Sequence, residues 1–176
     1  MMMVWIVYFW TGVLSGYTGE APYIGGPGAG EPYACITESE ASRILGQTAE
    51  RTESTVTERE GGVERFACIF TATTDDPKTR KRGNLYYMLE VYTDSTAAHK
   101  TYAEIVASNV HMPGQHTLTN LGREAWEHTD RENFYLVLVR ERNMLLRIKI
   151  NKLTSLTSQK DLKEVVREIA QRMKQR

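Results

Sequence analysis

Residues 132–151 read ENFYLVLVRERNMLLRIKIN, and this stretch decides the fold. Two apolar runs, 132–140 and 144–151, flank Glu141-Arg142-Asn143, so the segment is a β-hairpin. Leu146, Ile148 and Ile150 alternate with Arg147 and Lys149, which predicts one apolar and one wet face for the second strand. Strands joined by a tight turn run antiparallel, unlike those of a βαβ dinucleotide fold.

Towards the C-terminus, a helix is capped near Ser158, with Asp161 in its first turn. Leu162, Val165, Val166, Ile169 and Met173 form its apolar stripe, and Arg172, Lys174 and Arg176 crowd its end, where cations suit the dipole. Towards the N-terminus come a short strand around Ala125-Trp126, a strand near 116–121 and a break at Pro113-Gly114. A helix over 95–109 is capped by Asp94 or Ser95 and carries Ala98, Tyr102, Ile105 and Val106 at helical spacing. Three strands precede it. Residues 84–92 are apolar on both faces and therefore central, 63–72 align Phe66, Cys68 and Phe70, and 50–58 are polar and suit an edge. Gly61-Gly62 marks a tight turn, whereas 73–83 form a longer charged loop. Thr37-Glu38-Ser39-Glu40 is a capping box that opens the first helix, and Gly46 stops it. The element order is α-β-β-β-α-β-β-β-β-α. It predicts an α+β fold, an antiparallel sheet with helices packed mainly on one face, in a single domain over 34–176.

The front of the chain differs. Residues 1–17 hold an apolar, charge-free run at 2–14, about 13 residues long where a bilayer span needs ~20. Its length is that of a signal-peptide core, although no Lys or Arg precedes it. The alternatives are a misplaced start or an extra buried element. Leu14-Ser15-Gly16 is like the box before a lipidated cysteine, but Tyr17 occupies the cysteine position and excludes lipidation there. Residues 18–33 hold three prolines and five glycines, the composition of a linker. A signal-like segment followed by a tether predicts an exported protein, periplasmic or at the cell surface, with membrane proximity through the N-terminal segment.

Composition limits the chemistry. The 176 residues carry 22 Lys and Arg against 22 Asp and Glu, and nucleic-acid binding normally requires a basic domain. The sequence has no Walker loop, Rossmann fingerprint, HExxH or GxSxG, so no catalytic residue, cofactor or metal is assigned. His111 and His116 flank Pro113-Gly114 and would chelate a metal only with outside ligands. Cys35 and Cys68 are expected to form a disulfide in an exported chain; the alternative is a buried free thiol at Cys68. Lys78, Arg80, Lys81 and Arg82 cluster on the 73–83 loop, either as a solvated tip or as a contact for phosphate headgroups or an acidic partner. The candidate binding residues are Trp126, an indole in an apparent charged turn, its neighbours Glu124 and His128, and Tyr102 on the second helix. Trp126 either anchors a partner or caps the core. Glu124, Glu127, Asp130 and Glu132 read as a charged turn.

The segment from Cys35 to Gly46 resembles the start of small bacterial secreted or lipoprotein domains, including the actinobacterial DUF3558-type group. There a cysteine, a short helix and Leu-Gly precede a second cysteine on a strand, as Cys68-Ile69-Phe70 does here. Gly122-Arg123-Glu124-Ala125-Trp126 resembles the family's Gly-Asp-Glu-Ala-aromatic turn. The resemblance covers about 35–151 and implies a PsbP/Mog1-like α+β sandwich, exported, with no catalytic residue to transfer. The leading functional expectation is a non-enzymatic cell-envelope domain that binds a protein or small ligand. A small-molecule enzyme and a structural accessory subunit of an envelope assembly are the alternatives. A pocket with convergent polar groups and a perturbed titratable residue would favour the enzyme, and a broad apolar patch the subunit.

Overall fold

The computed structural model describes residues 35–60 and 62–175; the apolar segment 1–17 and the linker 18–33 lie outside the described residues. The elements are α1 (Glu38–Leu45), β1 (Ala49–Glu60), β2 (Val63–Ala72), β3 (Asn84–Val91), α2 (Ser95–Asn109), β4 (Gln115–Thr117), β5 (Glu124–Thr129), β6 (Tyr135–Glu141), β7 (Met144–Lys152) and α3 (Gln159–Lys174). The fold is α+β, in the element order expected. The strands form one sheet in the order β1-β2-β3-β7-β6-β5-β4. Every neighbouring pair is antiparallel. Two meanders, β1–β3 and β4–β7, thus meet at the β3–β7 seam, where Leu89 faces Leu146 and Tyr87 faces Ile148.

Local chemistry sets the helix ends. Thr37 and Glu40 make the reciprocal capping box, and Gly46 ends α1 in the left-handed region. A Cβ at Gly46 would fall 1.9 Å from the Leu156 carbonyl oxygen, so only glycine lets the 153–158 loop pass this close. The Ser158 amide then donates to the Ile44 carbonyl and joins the start of α3 to the end of α1.

Two of the three helices share a face. α1 and α3 bury Ile44, Leu45, Leu162 and Val166 against Phe70, Tyr87, Leu146 and Ile148. α2 lies on the opposite face, where Ala98 and Tyr102 cover Tyr92, Trp126, Leu138 and Leu145. The second face of β7 is therefore not simply wet. Leu145 is buried beneath α2, and Arg147 enters a polar network. At its centre Glu90, 2 % exposed, accepts from Arg65 Nε at 2.9 Å, Arg147 Nη2 at 2.7 Å and the Tyr92 hydroxyl at 3.2 Å. A carboxylate survives such burial only when cations and donors replace its water.

Two strands depart from expectation. β4 is shorter, because Asn120 and Gly122 adopt positive φ and turn the chain soon after it. β5 is longer, because its charged sequence EAWEHT pairs along its whole length with β6.

Cys35 and Cys68 form a disulfide across 33 positions and tie the residue before Ile36 to the middle of β2. Such a crosslink suits an oxidising compartment. A loop of about 34 residues predicts that the double variant Cys35→Ser/Cys68→Ser loses about 3–4 kcal/mol in the chain-entropy picture. Urea midpoints of the crosslinked and uncrosslinked proteins measure this, and coincident midpoints would contradict it. Among the described residues no helix is long and apolar enough to cross a membrane.

Candidate functional site

The candidate residues on α2 and β5 occupy one region. Trp126 is 3 % exposed, on a strand rather than in a turn, and α2 covers its indole. Glu124 lies two positions before it on the same face. Its Oε2 meets His99 Nδ1 at 3.0 Å and also accepts from Arg140 Nε. Burial pushes the Glu124 carboxyl up, but the bonds from His99 and Arg140 outweigh it and hold the pKa below the ordinary value. Burial, and then the Glu124 charge, push the Tyr102 hydroxyl up to about 12. Tyr102, Glu124 and Trp126 are thus brought together beneath or beside α2. His128 stands further along β5, between the rings of Trp126 and Phe134 at 5.5 and 4.9 Å.

The expected charged turn is divided. Glu124 and Glu127 belong to β5 and are not turn residues. Glu127 is buried and takes the Tyr135 hydroxyl and Lys163 Nζ from α3. Asp130 does organise the turn into β6. Hydrogen bonds led by the Asn133 amide hold its carboxyl well below the usual range.

The basic 73–83 loop builds the second region. Arg80, Lys81 and Arg82 line an open cleft of about 510 Å³ together with Asp75, Asn133, Asn151 and Lys152. Lys78, in the same sequence cluster, is not among the lining residues. Three separate pieces of chain converge here: the β2–β3 loop, the β5–β6 turn and the end of β7. Arg82 Nε donates to Asp75 at 2.7 Å, whereas Lys81 Nζ reaches only neutral oxygens of Glu132 and Asn133. Among the described residues no carboxylate pairs with Arg80, Lys81 or Lys152.

A buried carboxylate fixes the loop. Asp76, 0 % exposed, accepts from the Lys78 amide, the Thr79 hydroxyl, and both the amide and the hydroxyl of Ser155. Burial alone would raise its pKa, but these bonds outweigh it and hold the carboxyl far below the ordinary value. The Asp76 carbonyl also accepts from the Arg80 amide, with Arg80 in the left-handed region at φ 56°. A non-glycine residue costs ~1–2 kcal/mol there, and the Asp76 clamp offsets that strain.

The basic cluster was visible in sequence. Asn133, Asn151 and Lys152 were not, since nothing local links them; only the β3–β7 and β6–β7 pairings bring them to the loop. Among the described residues no group of three or more His, Cys, Asp or Glu side chains is placed to hold a metal ion. No family model matches the chain, and no curated protein or solved structure matches it.

Proposed function

We propose that the chain is a non-enzymatic binding domain of the bacterial cell envelope, and that it takes an acidic ligand or partner in the basic cleft. One observation carries this reading. Four cations against one carboxylate leave an excess of three positive charges among the residues that line the cleft, and a concave site with one sign of charge in excess concentrates ligands of the other. The disulfide, the signal-like segment and the resemblance to DUF3558-type domains support the exported setting. The perturbed carboxylate beside the cleft, Asp76, is fully engaged by its own loop and Ser155, so it acts as a strut.

Fluorescence anisotropy with labelled polyglutamate and polyphosphate at low salt tests the reading. Lys81→Glu/Lys152→Glu in the cleft is expected to abolish binding. Lys100→Glu/Arg172→Glu, an equal charge change on exposed helical positions, is expected to leave most of it. Equal losses from the two pairs, or no binding of either polymer to the native protein, would overturn the proposal.

A further inference from the structure

The cleft's own ion pair limits what the ligand can be. A carboxylate brings one charge and a planar fork, which a single guanidinium matches. Asp75 already takes one guanidinium, that of Arg82, through its Nε. Arg80, Lys81 and Lys152 remain without a carboxylate among the described residues. One further carboxylate would leave most of that charge uncompensated. A phosphate group carries about −1.5 to −2 charge and three strong acceptor oxygens at neutral pH, and so engages several cations that arrive from different directions.

The donors do come from separate parts of the chain. Arg80 and Lys81 come from the β2–β3 loop and Lys152 from the end of β7. The loop pair is fixed by the buried Asp76 clamp, which Ser155 anchors from beyond β7. The same clamp brings the loop close to the chain that leaves β7. Like charges on an unconstrained loop would move apart; here the fold keeps them together, and the binding site is prepaid in repulsion that an anion relieves. The cleft volume of about 510 Å³ is that of a small-molecule site and exceeds the needs of a bare phosphate ion, so there is space for the group that bears it.

We infer, resting on the reading above, that the ligand is a phosphomonoester whose phosphate lies among Arg80, Lys81 and Lys152. A soluble phosphorylated molecule and an anionic lipid headgroup present the same chemistry. Backbone amide NMR of the native protein, titrated separately with inorganic phosphate and with succinate, tests the class. Phosphate is expected to shift the amides of residues 80–82 and 152 saturably, and succinate to shift them far less. Lys81→Gln/Lys152→Gln, with its fold checked by the same spectra, is expected to weaken phosphate binding by about tenfold or more. Equal response to succinate would overturn the phosphate assignment and leave the acidic-ligand reading standing. No response to any anion, with no polymer binding, would overturn both. Phosphate shifts that persist unchanged in the double variant would also reject the site. Sedimentation with phosphatidic acid vesicles, but not phosphatidylcholine vesicles, at ~0.15 M salt assigns the lipid source. Phosphate binding without sedimentation assigns the soluble one.

Discussion

Glu90→Ala is expected to lower the unfolding free energy by about 3–5 kcal/mol, the cost of removing one partner from a buried ionic cluster. The glutamate is 2 % exposed and takes two guanidinium groups and the Tyr92 hydroxyl. Without it, Arg65 and Arg147 face each other across the space that it fills, and Arg147, only 26 % exposed, loses its carboxylate. Glu90→Gln keeps the shape and removes the charge, so it should fall between the alanine variant and the native protein. Replacing all three charges, as in Arg65→Met/Glu90→Leu/Arg147→Met, should recover most of the loss, because apolar packing often equals or exceeds a buried ion cluster. Urea unfolding of the set measures this. A loss below about 1 kcal/mol for Glu90→Ala would place the cluster with exposed ion pairs, which water already screens.

Trp126→Ala is expected to cost about 3–5 kcal/mol, as large-to-small aromatic changes in cores do. The indole is enclosed by Ala98 and Tyr102 of α2 above and by Leu138 and Leu145 beside it. α2 buries only those two residues of its own, so its attachment depends heavily on what lies beneath them. The variant should therefore show loss of amide protection in α2 before global unfolding, measured by hydrogen exchange. Full stability with an intact α2 would show that the second core holds without the indole.

The fold was legible where its causes are local. Thr37 with Glu40, Gly46, Asp94 and Ser158 each mark a helix end through one or two nearby hydrogen bonds, and the structure places all four as caps. The hairpins followed from period-2 alternation. The side taken by α2 was not legible, because its own sequence is only weakly amphipathic and its position follows from the β3–β7 seam. There the Tyr92 amide and carbonyl bond to Asn143 in the β6–β7 turn, which directs the chain onto that face. β5 was read too short, as a strand at Ala125-Trp126 with Glu124 and Glu127 assigned to a charged turn, for a related reason. Its glutamates look solvated in sequence, yet Lys163 and Arg140 neutralise them from other elements. The candidate cleft was half legible. Adjacent positions supply Arg80, Lys81 and Arg82, whereas Lys152 and Asn133 reach them only through sheet order.

The β3–β7 seam also imposes an order on assembly. Glu90 and Arg147 meet across 57 positions of chain, and closing so long a segment before its contacts form makes non-local pairing slow. The chain up to the end of β3 already holds the whole first meander and both cysteines, and the disulfide joins β2 to the segment ahead of α1. Until β7 emerges, however, β3 presents an open edge with Leu85, Tyr87 and Leu89 uncovered on one side. Unpaired apolar edges of this kind are where growing chains aggregate. The interval between the arrival of β3 and the arrival of β7 is therefore the period of greatest hazard for the folding chain.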